Sequence, residues 1–158
     1  MEALILAGGK AERLGDAARG NPKPLVPVAG APLLRYTIRR LAAAGVTRAI
    51  VACTVGQEER FVRDLAGLGV EIVAAGEPEP LGRGGGLRFA AARRKSAGAV
   101  LAMNGDELLD LDYGALIRRH RELPAAATVV VAQVNSPFGV VELEADDAIS
   151  GFREAPRL

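Results

Sequence analysis

The chain contains one cysteine, one histidine and no tryptophan, and aromatic residues make up only 4% of it. With Cys53 alone, no internal disulfide can form, which fits a reducing compartment such as the cytoplasm. Few aromatics leave Ala, Leu and Val to carry the core. A net charge of +1 gives no field of one sign, so neither nucleic acid nor a membrane surface is expected as a partner. No apolar run reaches membrane-spanning length. The first apolar stretch, Ala3 to Ala7, is too short for a secretory leader and runs straight into glycines. There is no internal repeat and no low-complexity linker. What remains is a chain of 158 residues, 49% hydrophobic and 25% charged, the size and composition of one domain around one core.

Hydrophobic patterning predicts alternating strands and helices. Ala3 to Ala7 reads as a strand buried on both faces. Gly8 to Gly30 is a long Gly/Pro-rich stretch, and such stretches in compact domains are usually functional. A helix is expected from Ala31, with Pro32 in its first turn and Gly45 as its stop. It places Leu34, Ile38, Leu41 and Ala42 on one face and Arg35, Arg39 and Arg40 on the other. Strands are expected over Arg48 to Thr54, Val70 to Ala75, Ala99 to Met103 and Ala127 to Val134. Helices are expected over Gln57 to Leu68 (Phe61, Val62 and Leu65 inward), Leu87 to Lys95 and Leu111 to Leu123. Phe138 to Leu143 and Ala148 to Phe152 read as a hairpin around Ala145-Asp146-Asp147. This is an α/β pattern: a mainly parallel sheet with helices on both faces.

Ligands of such sheets bind at the C-terminal ends of the strands, and three of those ends carry unusual sequence. After the first, Gly8 and Gly9 let backbone amides approach an anion, and Arg13 and Lys23 add positive charge nearby, so the loop suits a triphosphate. It is neither a P-loop nor a dinucleotide fingerprint, since no Gly-Lys-Ser/Thr and no G-x-G-x-x-G is present. After the third lies a loop over Gly76 to Gly86, whose glycines let a flat ligand lie against backbone. After the fourth, Asn104-Gly105-Asp106 places a carboxylate where Mg²⁺ is usually held, by one or two carboxylates together with phosphate oxygens. Each also has a plainer reading, as a turn with solvated charges. Asp112 precedes a helix as a cap, and Glu107 and Asp110 read as surface residues. His120 lies on an apolar helix face and reads as half-buried and structural. Cys53 reads as packing. Arg93-Arg94-Lys95 and Arg118-Arg119 read as solvated helix faces.

These loops carry a resemblance. Leu6-Ala7-Gly8-Gly9-Lys10-Ala11-Glu12-Arg13-Leu14 resembles the L-A-G-G-x-G-T-R-L loop of the sugar-1-phosphate nucleotidyltransferases. Pro22-Lys23-Pro24-Leu25-Val26-Pro27-Val28 is similar to their P-K-P-L-x-P-V. Gly30 to Leu34, Glu77 to Leu87, Asn104-Gly105-Asp106, Phe138 to Val141 and Gly151 to Pro156 resemble later family segments in order. The resemblance implies a doubly wound, Rossmann-like fold and a Mg²⁺-dependent enzyme that joins a nucleoside monophosphate from an NTP to a sugar 1-phosphate and releases pyrophosphate. It implies catalytic roles for Arg13, Lys23 and Asp106, with Asp106 also the metal ligand. It implies nucleotide contacts from Leu6, Ala7, Gly8, Gly9, Glu77, Gly82, Gly84 and Gly85, and sugar contacts from Asn104, Gly139 and Glu154. The segment Pro80-Leu81-Gly82-x-Gly84-Gly85 looks most like mannose- or heptose-phosphate guanylyltransferases, which favours guanine ahead of uracil and thymine. The implied partners are an NTP and a sugar 1-phosphate in the cytoplasm, with homo-oligomerisation left open.

The sequence departs from the family at Ala11, Glu12, Arg83 and Ala155, where a glycine, two threonines and a lysine are usual. Family members also continue beyond the length seen here and bring a second acidic metal ligand. A single core domain over residues 1–158, incomplete at its C-terminal side, is therefore expected. Two alternatives stay open: a non-catalytic nucleotide-binding or regulatory domain, and an enzyme like the molybdopterin guanylyltransferases, against which Pro22 to Val28 and the Glu77 to Leu87 loop both argue.

Overall fold

A computed structural model describes residues 1–9, 14, 15, 18, 20–135 and 137–156. Contacts divide the chain into two units, Met1–Arg119 and His120–Leu158.

The first unit is built on β1 (Glu2–Leu6), β4 (Arg48–Thr54), β5 (Glu71–Glu77) and β6 (Val100–Asn104), all parallel, in the order β5-β4-β1-β6. Leu4 stands opposite both Ile50 and Ala102, so β1 is flanked on both sides. Alternation sorts its side chains into two cores. Ala3, Ile5 and Ala7 join Ala49, Val51 and Cys53 against Leu34, Ile38, Leu41, Phe61 and Leu65 from α1 (Leu33–Ala43) and α2 (Glu58–Leu65). Leu4, Ile50, Ala52 and Ala75 face Ala90 of α3 (Gly82–Ala91) on the other side. The expected α/β architecture, with helices on both faces, is present.

Local details differ from the sequence reading for physical reasons. Ala31 and Pro32 are not helical. They form β3, which pairs with β2 (Pro27–Val28) across a two-residue turn with positive φ at Ala29 and Gly30, the geometry that matches strand twist. Gly45 does close α1: its amide bonds to Ala42 O and the Val46 amide to Leu41 O, both at 3.0 Å, the paired bonds of a Schellman ending. Val62 is 42% exposed rather than inward, because it follows Phe61 by a third of a helical turn. Arg35 is not simply solvated; it donates to the carbonyls of Asp64 and Ala66 at the end of α2. The helix α3 begins five residues earlier than expected and takes in the glycine run.

The second unit contains an antiparallel hairpin, β7 (Val140–Leu143) and β8 (Ile149–Arg153), with Asp147 at positive φ in the turn. The helix α4 (Tyr113–Glu122) leads into this unit. Residues 127–134 carry no strand, contrary to their composition, because a β-prone apolar run needs a neighbouring strand to become a ladder. His120 is half-buried and its Nδ1 lies 3.0 Å from Thr128 Oγ1.

The N-terminal end of the sheet is locked by Glu2, which is buried. Its carboxylate accepts from the Lys95 amide at 2.9 Å, the Ser96 hydroxyl at 2.8 Å, the Ser96 amide at 3.2 Å and Arg48 Nη1 at 3.1 Å. Arg94 Nε stands 3.4 Å away. Burial pushes the carboxyl pKa up, but the Lys95 and Ser96 groups and Arg48 outweigh it and hold the value at about 2. The Arg93-Arg94-Lys95 run is therefore not a solvated helix face. The helix α3 ends at Ala91, and the run turns back over the sheet end, with Arg93 lying over the Phe89 ring at 4.1 Å. Because the Glu2 carboxyl sits below its usual value of 4.5, its contribution is full above pH 4.5 and is lost as pH falls toward 2. That contribution is about 3 kcal/mol. Urea unfolding should show Glu2→Gln losing roughly this amount at pH 7 and showing a weaker loss of stability on acidification.

Candidate active site

The strand order places the site. From β1 the chain moves to β4 and β5 on one side, then returns to β6 on the other. The crevice above the C-terminal ends of β1 and β6 is thus a topological switch point, where open sheets bind ligands. Hydrogen bonds from the Ala7 amide to Ala52 O at 2.7 Å and from the Gly105 amide to Leu6 O at 2.8 Å tie both exits to the sheet. Above them lies a cleft of about 470 Å³, lined by Leu6, Ala7, Gly8, Gly9, Lys23, Pro24, Glu77, Pro80, Gly82, Arg83, Asn104, Asp106 and Glu107.

Lys23 reaches this crevice from far away in sequence. It opens a 3-10 turn, Lys23–Leu25, anchored by the buried side chains of Pro24 and Leu25. Its Nζ lies 2.5 Å from Asp106 Oδ2. Arg60 of α2 steadies the preceding segment by donating to Gly20 O at 3.4 Å and to Asn21 Oδ1. Sequence reading missed Arg60, which stands in the charged face of α2 with no motif around it. Asn104 Nδ2 donates to Glu107 Oε1 at 2.6 Å. Glu107 is exposed, as expected, yet it lines the cleft.

Glu77, the last residue of β5, also lines the cleft. Its Oε2 accepts from the Leu81 amide at 3.4 Å. Gly82 then opens α3 at φ +70°, a conformation L side chains avoid. One turn on, a Cβ at Gly86 would lie 2.5 Å from Glu77 Oε1 and 2.9 Å from Leu6 Cδ2. The glycine run thus lets α3 press onto the end of β1. Tertiary contact, not helix propensity, sets this helix start.

Of the residues expected in the site, Leu6, Ala7, Gly8, Gly9, Lys23, Glu77, Gly82, Asn104 and Asp106 share one cleft. Gly84 faces open space and Gly85 packs against Leu81. Gly139 and Glu154 meet in the C-terminal unit, where Gly139 abuts the Phe152 ring and a Cβ there would lie 3.4 Å from Glu154 Oε2. Arg13, with Ala11 and Glu12, lies outside the described residues. Asp112 caps α4, its Oδ1 accepting from the Ala115 amide at 2.9 Å, and Asp110 pairs with Arg40 at the surface. Cys53 is buried; burial and the Glu58 and Glu77 carboxylates push its thiol up to about 11, so it is a packing residue.

The profile of the family described as Nucleotidyl transferase matches residues 2–158. The chain belongs to this family. Among curated nucleotidyl transferases it is 34% identical to "Mannose-1-phosphate guanylyltransferase" of Mycobacterium tuberculosis, covering 98% of this chain and 44% of that protein. It is also 34% identical to "Mannose-1-phosphate guanylyltransferase catalytic subunit beta" of Drosophila pseudoobscura pseudoobscura, over 98% of this chain and 43% of that one. The chain thus spans under half the length of these relatives. Among solved structures, HddC from Yersinia pseudotuberculosis complexed with GMP-PN shares the fold, with a TM-score of 0.72 and 24% identity over 99% of this chain and 70% of that one. No helix among the described residues is long and apolar enough to cross a membrane.

Gly86→Ala tests the close approach of α3 in this nucleotidyl transferase. In an ordinary helix the change gains about 1 kcal/mol. Here it should cost about 1–3 kcal/mol through overpacking against Glu77 and Leu6, read as a lowered melting temperature.

Proposed function

We propose that the chain is the nucleotide-binding and catalytic core of a guanylyltransferase that joins GMP from GTP to a sugar 1-phosphate, mannose 1-phosphate being the first acceptor to test. The observation that carries this reading is the meeting of Lys23 and Asp106 across the switch-point crevice, in one cleft with Gly8, Gly9 and Glu77. The names of the 34%-identical relatives support guanine as the base and mannose 1-phosphate as the acceptor.

In this reading an oxygen of the sugar phosphate attacks the α-phosphorus of GTP. A phosphorus–oxygen bond forms there, the bond to the bridging oxygen breaks, and pyrophosphate leaves with the electron pair. The acceptor is already ionised at neutral pH and needs no base. The Gly8 and Gly9 backbone and Glu77, Gly82, Gly84 and Gly85 hold the nucleotide, with Leu6 and Ala7 at its edge. Lys23 offsets charge at the α-phosphate, and Arg13 does so on the departing pyrophosphate, since positioning and charge neutralisation dominate such transfers. Asn104, at the edge of the same cleft, holds the sugar. Asp106 would hold Mg²⁺. Among the described residues no three or more His, Cys, Asp or Glu side chains are grouped so as to hold a metal ion. This donor set fits an ion shared with phosphate oxygens better than a resident protein cage. When bound, the ion supplies charge neutralisation at those oxygens. We assign the reaction to the cytoplasm, consistent with a lone, buried, reduced cysteine.

Pyrophosphate release should be followed with Mg²⁺, each NTP and a panel of sugar 1-phosphates. Release is expected to be fastest with GTP and mannose 1-phosphate, and silence with every pair overturns the reading. Asp106→Asn should cut turnover by about a hundredfold or more with an unchanged circular-dichroism spectrum. Lys23→Gln should lower kcat more than it raises KM, because its contact strengthens as charge develops.

A further inference from the structure

Two cations, Lys23 and Arg83, line the described cleft beside three carboxylates, Glu77, Asp106 and Glu107. Lys23 is engaged with Asp106 at 2.5 Å. A polyanion entering beside these carboxylates gains from any cation held free to meet it, in addition to Arg13 and the metal ion of the reading above. Among the described lining residues Arg83 is such a cation: it is exposed, lines the cleft and forms no hydrogen bond or ion pair with any described residue. Its position reinforces the point. Arg83 stands in the first turn of α3, which contains no acidic residue, and a cation there opposes the positive end of the helix dipole. Such a placement weakens the isolated helix, and a bound anion would reverse the effect by drawing on the guanidinium and the helix end together. Its neighbours leave room, since Gly82 and Gly84 have nothing within 4 Å of where a Cβ would stand.

We propose that Arg83 is a phosphate-binding residue of this cleft, an added cationic contact to the polyphosphate of the nucleotide. This rests on the nucleotidyl transfer reading above. The guanidinium offers a planar fork of N–H donors to phosphate oxygens, so the contact scales with phosphate number and ignores the base.

The test is calorimetric binding of GTP, GDP, GMP and guanosine, and of UTP, to wild type, Arg83→Gln and Arg83→Lys. Arg83→Gln should weaken GTP about tenfold or more, weaken GMP less, and leave guanosine unchanged. UTP should weaken by the same factor as GTP, and Arg83→Lys should recover much of the loss. Added salt should shrink the gap between wild type and Arg83→Gln. Because Arg83 is exposed, the variants should melt as wild type does. Undiminished GTP affinity in Arg83→Gln overturns the proposal, as does an equal loss on guanosine, which would mean a base or ribose contact. A wild-type protein that binds no NTP at all overturns the nucleotidyl transfer reading itself, a result distinct from either of these.

Discussion

A strand buried on both faces, with parallel neighbours on both edges, organises the first unit. β1 has β4 on one side and β6 on the other, and the chain reverses its direction of travel across the sheet at that strand. Loops leaving β1 and β6 must therefore diverge, and the crevice between them cannot be closed by a connecting helix. Lys23 and Asp106 meet because of this divergence. Neither is close to the other in sequence, and each is fixed by its own anchor: the 3-10 turn by the buried side chains of Pro24 and Leu25, the Asp106 loop by the Gly105 amide on Leu6 O of β1.

The strands and α1 were legible because burial on both faces leaves continuous apolar runs, and burial on one leaves a helical stripe. Most of the cleft was legible because glycine pairs and an acidic strand end are rare enough to stand out at three places. What escaped the sequence depends on partners distant along the chain. The glycine run from Gly84 reads as loop, since its helical state exists through contact with Glu77 and Leu6. The valine run 127–134 reads as strand, yet Val129 and Val131 are 78% and 85% exposed, because a pattern names a face and not the neighbour that covers it. Glu2 gave no signal at all. A single acid before an apolar run is ordinary until the fold brings Arg48, Lys95 and Ser96 around it.

The two ends of the sheet do different work. At the N-terminal end, the buried Glu2 carboxylate is paired with Arg48 and bonded to Lys95 and Ser96. At the C-terminal end, they are half-exposed and only partly matched, with Lys23 and Asp106 sharing one contact and Arg83 free among the described residues. Paired charge at one end serves stability, and incompletely matched charge at the other is left for a ligand, the division expected where stability and chemistry occupy opposite rims of a parallel sheet.

Cys53 adds a practical consequence. It sits in the inner face of β4, sealed by the core and held protonated by burial and two carboxylates. The native surface therefore presents no thiolate. A cysteine introduced on any exposed loop would be the one site to take a fluorophore or spin label, with no need to delete a native residue from the core. Nucleotide binding at the α3 entrance could then be followed in solution on an otherwise unaltered fold.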